Sequence, residues 1–180
     1  CAMADLAART DDAVLLTRCE EIWKNITEKR MYLTGGIGST PINERFTCDY
    51  HLPHDGYAES CASIGLIFFT RRMLNLTGKA CYADVLEQIL YNGALSGISL
   101  GGDRFFYVNR LEVGADTWEH GVTYVRERCP WFFCSCCPTS FCRFLPQMAI
   151  FCWSYAPQEL RLEIPAAGQA QFHNCRVVVQ

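Results

Sequence analysis

Charge is scarce in this chain. Of its 180 residues only 19% are Asp, Glu, Lys or Arg, against roughly 25% in soluble domains generally. No stripe of Lys and Arg is present to neutralise phosphates, and the net charge is −3. A nucleic-acid partner is therefore not expected. Long apolar runs are missing too. The longest, such as Ile64 to Phe69, fall far short of the ~20 residues that a membrane-spanning helix needs, so no membrane partner is expected. No internal repeat or low-complexity tract is visible. Disorder as the main state is excluded from the opposite side, because 50% of residues are hydrophobic and 13% aromatic while disorder needs low hydrophobicity and high net charge. The sequence opens on Cys1 without a charged-then-apolar signal segment, and Arg176-Val177-Val178-Val179-Gln180 reads as an unfinished strand. Together these suggest an internal piece of a longer protein.

Cysteine, by contrast, is abundant: twelve residues, still below the level of a short secreted disulfide scaffold. The even count permits complete pairing, so a secreted disulfide protein is one reading. The spacing favours free thiols and a reducing, cytoplasmic compartment. On that view the glycosylation patterns Asn25-Ile26-Thr27 and Asn75-Leu76-Thr77 carry no weight.

The hydrophobic period predicts a mainly helical chain. Residues 3–31 read as helix, interrupted and capped at Thr10-Asp11, with Leu15, Leu16, Cys19, Ile22, Trp23 and Ile26 on a buried face. Residues 32–57 read as a long loop, rich in Gly and bounded by Pro; loops of that length in compact domains are usually functional or disordered. Helices are expected over 58–75, with an apolar face from Ala62 to Leu76, and over 82–95, as an antiparallel hairpin. Phe105 to Asn109 reads as a short β run, and 110–130 as irregular. Helix returns over 138–153, with Pro138 at the first helical position and Pro146 kinking or ending its first part. After Trp153, Leu160, Leu162 and Ile164 alternate with Arg161 and Glu163, the period of a half-buried strand. The expected units are thus 1–153 and 154–180.

The densest chemical feature is Cys134-Ser135-Cys136-Cys137-Pro138. Neighbouring cysteines are poorly placed to bridge each other, since a disulfide wants Cα atoms about 5.5–6 Å apart. At a helix N-terminus, free N–H groups and the dipole favour thiolate over thiol. Glu59-Ser60-Cys61 offers a carboxylate and a thiol two residues apart, which can share a metal at a loop-to-helix junction. Glu59, Cys61, Cys136 and Cys137 then make a tetrahedral Cys3Glu zinc set. The plain alternative is buried free cysteines in a helical core, which is how Cys19, Cys81, Cys142 and Cys152 read. Cys134 reads as lying beside the metal set. His51 and His54 could touch a substrate or metal, and Asp49 and Asp55 could hydrogen-bond a substrate, or all four could be ordinary exposed loop residues. His120 and His173 carry no signal.

Four motifs in this order resemble glycoside hydrolase family 127, the β-L-arabinofuranosidases: Met31-Tyr32-Leu33-Thr34-Gly35-Gly36-Ile37-Gly38-Ser39, Tyr57 to Gly65, Phe105-Phe106-Tyr107-Val108-Asn109 and Cys134 to Pro138. The resemblance implies part of an (α/α)6 barrel followed by the start of a β-sandwich domain. It implies zinc held by Glu59, Cys61, Cys136 and Cys137, with Cys136 as nucleophile, Glu44 as general acid/base and Tyr107 lining the sugar site. The implied reaction is retaining hydrolysis that releases L-arabinose from β-L-arabinofuranosides in an oligosaccharide or glycan; homo-oligomerisation is possible. The chain departs from the family pattern at Thr139-Ser140, where Pro-Asn is expected, and in a slightly shortened loop between Glu44 and Glu59, so specificity can differ. The rival reading is a non-catalytic, zinc-stabilised helical domain, a degenerate homologue that binds sugar or a partner. Such a domain needs Glu59 and the thiols but not Glu44.

Overall fold

The structure is a computed structural model and describes residues 1–113 and 125–180. The expectation of irregular chain over 110–130 falls partly outside these, as does His120. Six α-helices lead into two β-hairpins: α1 (Ala2–Thr10), α2 (Ala13–Lys29), α3 (Ser60–Thr77), α4 (Ala80–Gln88), α5 (Cys136–Phe144) and α6 (Met148–Cys152), then β1 (Trp153–Ala156), β2 (Glu159–Leu162), β3 (Gly168–Phe172) and β4 (Cys175–Val179). β1 pairs antiparallel with β2, and β3 with β4, as two separate two-stranded sheets. The chain is mainly helical with small antiparallel sheets at the C-terminal end.

The break between the first two helices has a local cause. Asp11 takes a left-handed conformation and closes α1, and the Asp12 carboxylate accepts from Val14 N and Leu15 N to open α2. That supplies acceptors for two of the N–H groups a helix start leaves unpaired. Within α2 the expected face is less buried than its period suggests: Cys19 is buried, while Ile22 is exposed. α3 differs similarly. Its most deeply buried side carries Ser60, Ser63, Ile64, Ile67, Thr70 and Met73, whereas the expected Ala62, Phe68, Phe69 and Leu76 are half-buried. The core side of this helix is therefore partly polar, which an apolar period cannot reveal.

Three further expectations need correction. The helix from 82 to 95 starts at Ala80 and loses its regular winding after Gln88. It widens into a π-helical turn over Ile89–Ala94 and tightens into a 3₁₀ turn over Leu95–Gly97. Phe105 to Asn109 does not form a strand, but makes isolated bridges to Ile98, Cys129 and Glu59. α5 begins at Cys136, so Pro138 is its third residue rather than its first; its missing N–H is still one of the four that a helix start leaves unpaired. Pro146 does end the first part, since Leu145–Gln147 is a 3₁₀ turn between α5 and α6. Of the cysteines expected in the core, Cys19 and Cys152 are buried but Cys81 and Cys142 are exposed. None of the twelve is in a disulfide.

The core that anchors the site is aromatic. Phe68, Phe144 and Phe151 meet edge-on or tilted with centroids 5.3–6.4 Å apart, and Phe141 stacks on Phe105 at 5.6 Å. These contacts pack α5 across α3 and bring their N-termini together. In the β part, the alternation is incomplete: Ile164 is buried and Leu160 half-buried, but Leu162 is exposed. Among the described residues, no helix is long and apolar enough to cross a membrane.

Candidate active site

Two backbone arrangements assemble the site. First, residues 106–109 run against 58–60: Ser60 N donates to Tyr107 O (2.9 Å), Asn109 N to Ala58 O (2.9 Å) and Ser60 Oγ to Phe106 O (2.8 Å), while Asn109 Nδ2 donates to Ser60 Oγ (2.9 Å). This places Tyr107 beside Glu59. Second, the glycine-rich loop folds under the same strip, because Ala58 N donates to Gly38 O (3.0 Å). Gly35 has φ +82°, and a Cβ there would stand 2.8 Å from Ile89 Cα. That combination of positive φ and close approach fits glycine alone.

Glu59 is the last residue before α3, and Cys61 the second residue within it. Cys136 and Cys137 open α5. The four donor atoms lie within 4.8 Å of one another. Cys61 Sγ is 3.4 Å from Cys137 Sγ, which is 3.7 Å from Cys136 Sγ. Cys136 and Cys137 Sγ lie 3.3 and 3.6 Å from Glu59 Oε1. In a tetrahedron around zinc, with Zn–S near 2.3 Å and Zn–O near 2.0–2.2 Å, the donor-to-donor edges are about 3.8 Å for two sulfurs and about 3.5 Å for sulfur and oxygen. The separations observed are close to those edges, and soft thiolates with one carboxylate suit a borderline-soft divalent ion. The donor set fits zinc.

The electrostatics of the metal-free cluster point the same way. Glu59 is 7% exposed, and burial, with the nearby Cys61 charge, pushes its carboxyl up to about 8. Cys61 is pulled down to about 6, chiefly by a hydrogen bond from Cys137. Cys137 moves the opposite way, first through that same contact and then through burial. Cys136 is also raised, mainly by burial. Four acidic groups this close cannot all ionise without a cation among them.

Glu44 lies outside the cluster but is joined to it. It sits in a short 3₁₀ turn, Ile42–Glu44, where Asn43 and Glu44 both take positive φ (57° and 47°). Such a conformation costs a non-glycine residue of order 1–2 kcal/mol and gathers at functional sites. Its Oε1 accepts from Tyr57 Oη (2.9 Å) and Tyr107 Oη (3.3 Å). Tyr107 Oη is in turn 3.1 Å from Cys136 Sγ. One phenol oxygen thus links the carboxylate and the thiol. The carboxylate oxygen and the sulfur thus lie on either side of one phenol. Tyr107 is buried, and Phe132 packs edge-on against it at 5.5 Å.

The structure therefore brings together Glu44, Glu59, Cys61, Tyr107, Cys136 and Cys137. It does not bring in the loop histidines: His51 bonds Thr47 (2.6 Å) and His54 faces Glu112 (3.2 Å). Asp49 is held by Lys29 and Arg30. Cys134 is exposed and lies outside the cluster. Two contributors carried no sequence signal of their own: Tyr57, thirteen residues from the carboxylate it holds, and Ser140, whose Oγ lies 3.4 Å from Cys61 Sγ. Ser140 is one of the two positions that depart from the family pattern, so that departure touches the cluster directly.

Comparison with known proteins then decides the family. Residues 1–149 match the model of the β-L-arabinofuranosidase GH127 catalytic domain. The chain belongs to this family. It is 44% identical over 137 residues to the non-reducing end β-L-arabinofuranosidase of Bifidobacterium longum subsp. longum, covering 74% of this chain and 21% of that protein. The crystal structure of a GH127 β-L-arabinofuranosidase from Geobacillus stearothermophilus T6 superposes with TM-score 0.86 at 42% identity, over 96% of this chain and 28% of that one. A second GH127 β-arabinofuranosidase gives TM-score 0.84 at 38% identity, over 94% and 26%. The GH127 chain described here thus spans about a quarter of the length of these relatives.

Proposed function

We propose that the chain is part of the catalytic domain of a retaining glycoside hydrolase that releases L-arabinose from β-L-arabinofuranosides in an oligosaccharide or glycan. On this reading residues 1–153 are a segment of an (α/α)6 barrel and 154–180 begin a β-sandwich domain. The observation that carries it is the Tyr107 phenol shared by Glu44 and Cys136. It supports the reading because two-step retention needs an acid and a nucleophile that act at one anomeric carbon.

Glu59, Cys61, Cys136 and Cys137 would hold zinc. When bound, the ion keeps these thiols deprotonated and lowers the basicity of the Cys136 sulfur, which suits that sulfur both to attack and to leave. Glu44 gives its proton to the departing glycosidic oxygen while Cys136 Sγ attacks the anomeric carbon; the C–O bond breaks and a C–S bond forms. Glu44, now a carboxylate, takes a proton from water as that water attacks the same carbon. The C–S bond breaks, and the sugar leaves with its original configuration. Tyr107 lines the sugar site and donates one hydrogen bond between the two reacting groups.

The test is Glu44→Gln in the full-length protein, with zinc measured by elemental analysis. The expected result is close to one zinc per chain in both forms and a ~10²–10⁴-fold loss of arabinofuranosidase turnover in the variant. Turnover equal to that of the unaltered protein overturns the assignment. A folded protein that carries zinc and never cleaves an arabinofuranoside points instead to the non-catalytic zinc-stabilised domain.

A further inference from the structure

We propose that Tyr57 is the positioning residue of the acid/base: its phenol fixes Glu44 through Oε1, leaving Oε2 as the oxygen that exchanges the proton with the glycosidic oxygen and with water. The inference rests on the proposed function and extends it to a residue with no assigned role. Glu44 needs such a device. It is exposed, and stands on a turn whose two central residues are both in the left-handed region. An exposed carboxylate on such a turn depends on hydrogen bonds to hold it at the near-attack geometry that catalysis requires.

Two phenols reach it, but they are not equivalent. A phenol carries one proton. The Tyr107 oxygen is shared between two neighbours, Glu44 Oε1 and Cys136 Sγ. Whenever Cys136 is a thiolate, the single Tyr107 proton is contested between sulfur and carboxylate. Tyr57 donates to Glu44 at 2.9 Å, the shorter of the two bonds. Its ring is 4% exposed, set 6.3 Å from the Tyr107 ring and in van der Waals contact with the site a Cβ of Gly38 would fill (3.9 Å). It belongs to the backbone strip that carries Glu59. Tyr57 is therefore a buried donor that holds Glu44 by the shorter of the two bonds. Both phenols converge on Oε1, so that oxygen accepts twice and the transferable proton belongs on Oε2.

The experiment compares Tyr57→Phe, Glu44→Gln and the double variant in the full-length protein, with two arabinofuranosides: one with a poor alkyl or sugar leaving group, one with an activated aryl leaving group. An activated group leaves with little protonic help, so a defect confined to the acid shrinks on it. The expected result is that Tyr57→Phe keeps its zinc and its KM, loses about 10- to 100-fold in kcat on the poor leaving group, and loses markedly less on the aryl substrate. Added to Glu44→Gln, it should cost nothing further. Equal losses on both substrates, additive losses in the double variant, or no loss at all overturn the proposal. Failure of the underlying reading looks different: Glu44→Gln itself is then without effect. The substitution removes one oxygen and keeps the buried ring. Should it still lower zinc content, Tyr57→Phe is measured again with zinc in excess, and a loss that zinc restores also overturns the proposal.

Discussion

Cys61 joins the adjacent thiols from 76 residues away, whereas Cys134, two positions from Cys136, stays exposed and outside the cluster. Proximity in sequence is thus the wrong guide to ligation here. Cys61→Ser should strip the site of zinc, because the hydroxyl is a poor replacement for a thiolate ligand, while Cys134→Ser should retain it. Zinc per chain after dialysis measures both, and loss of zinc from the Cys134 variant would contradict the ligand set. The residues of the cluster were legible in the sequence because their types are chemically rare together: adjacent cysteines at a helix start, and a carboxylate with a thiol at another. Tyr57 was not legible, since its bond to Glu44 depends on the left-handed turn at Asn43 and Glu44, and no pattern in the residues dictates that turn. Burial of single cysteines was legible only by half. Cys19 and Cys152 are buried, and Cys81 and Cys142 are not, because small side chains weigh little in which face of a helix turns inward.

At the level of elements, the glycine-rich loop shows how local chemistry becomes architecture. Gly35 and Gly102 both have positive φ, +82° and +74°, so an alanine at either carries a backbone cost of about 1 kcal/mol. Beyond that they differ. A Cβ at Gly102 meets nothing within 4 Å, while one at Gly35 strikes the Ile89 backbone at 2.8 Å. Gly35→Ala should therefore lower stability in a denaturant titration clearly more than Gly102→Ala, and equal midpoints would show that the Ile89 turn yields freely. That turn is the π-helical stretch Ile89–Ala94, which the hydrophobic period could not announce. A π-turn changes winding without changing which residues are apolar. The α-helices themselves were legible from spacing and caps. The stretch from Phe105 to Asn109 was misread, because aromatic and β-branched residues that line a site as isolated bridges look the same in sequence as those of a paired strand.

On the scale of the whole molecule, a metal ion held by the cluster would be a cross-link. Glu59 and Cys61 stand at the start of α3, Cys136 and Cys137 at the start of α5, and the aromatic packing of Phe68, Phe141 and Phe144 lies behind them. Without an ion, burial and the neighbouring charges raise Glu59, Cys136 and Cys137 above their ordinary values, so they tend to keep their protons. With one, they become ligands that pin two helices separated by a long stretch of chain. An ion that binds only the folded form stabilises it by about 4 kcal/mol when present at a thousand times its dissociation constant, and that contribution disappears on removal. A strong chelator should accordingly lower the Tm of the zinc-loaded protein, and amide exchange should quicken at the starts of α3 and α5 while the β1–β2 hairpin, which supplies no ligand, keeps its rate. Cys61→Ser supplies the control: already without zinc, it should melt near the chelated protein and respond little to chelator. If the chelator lowers the Tm of that variant as far as it lowers the parent, the stabilising ion lies elsewhere and the helix starts are held by aromatic packing alone.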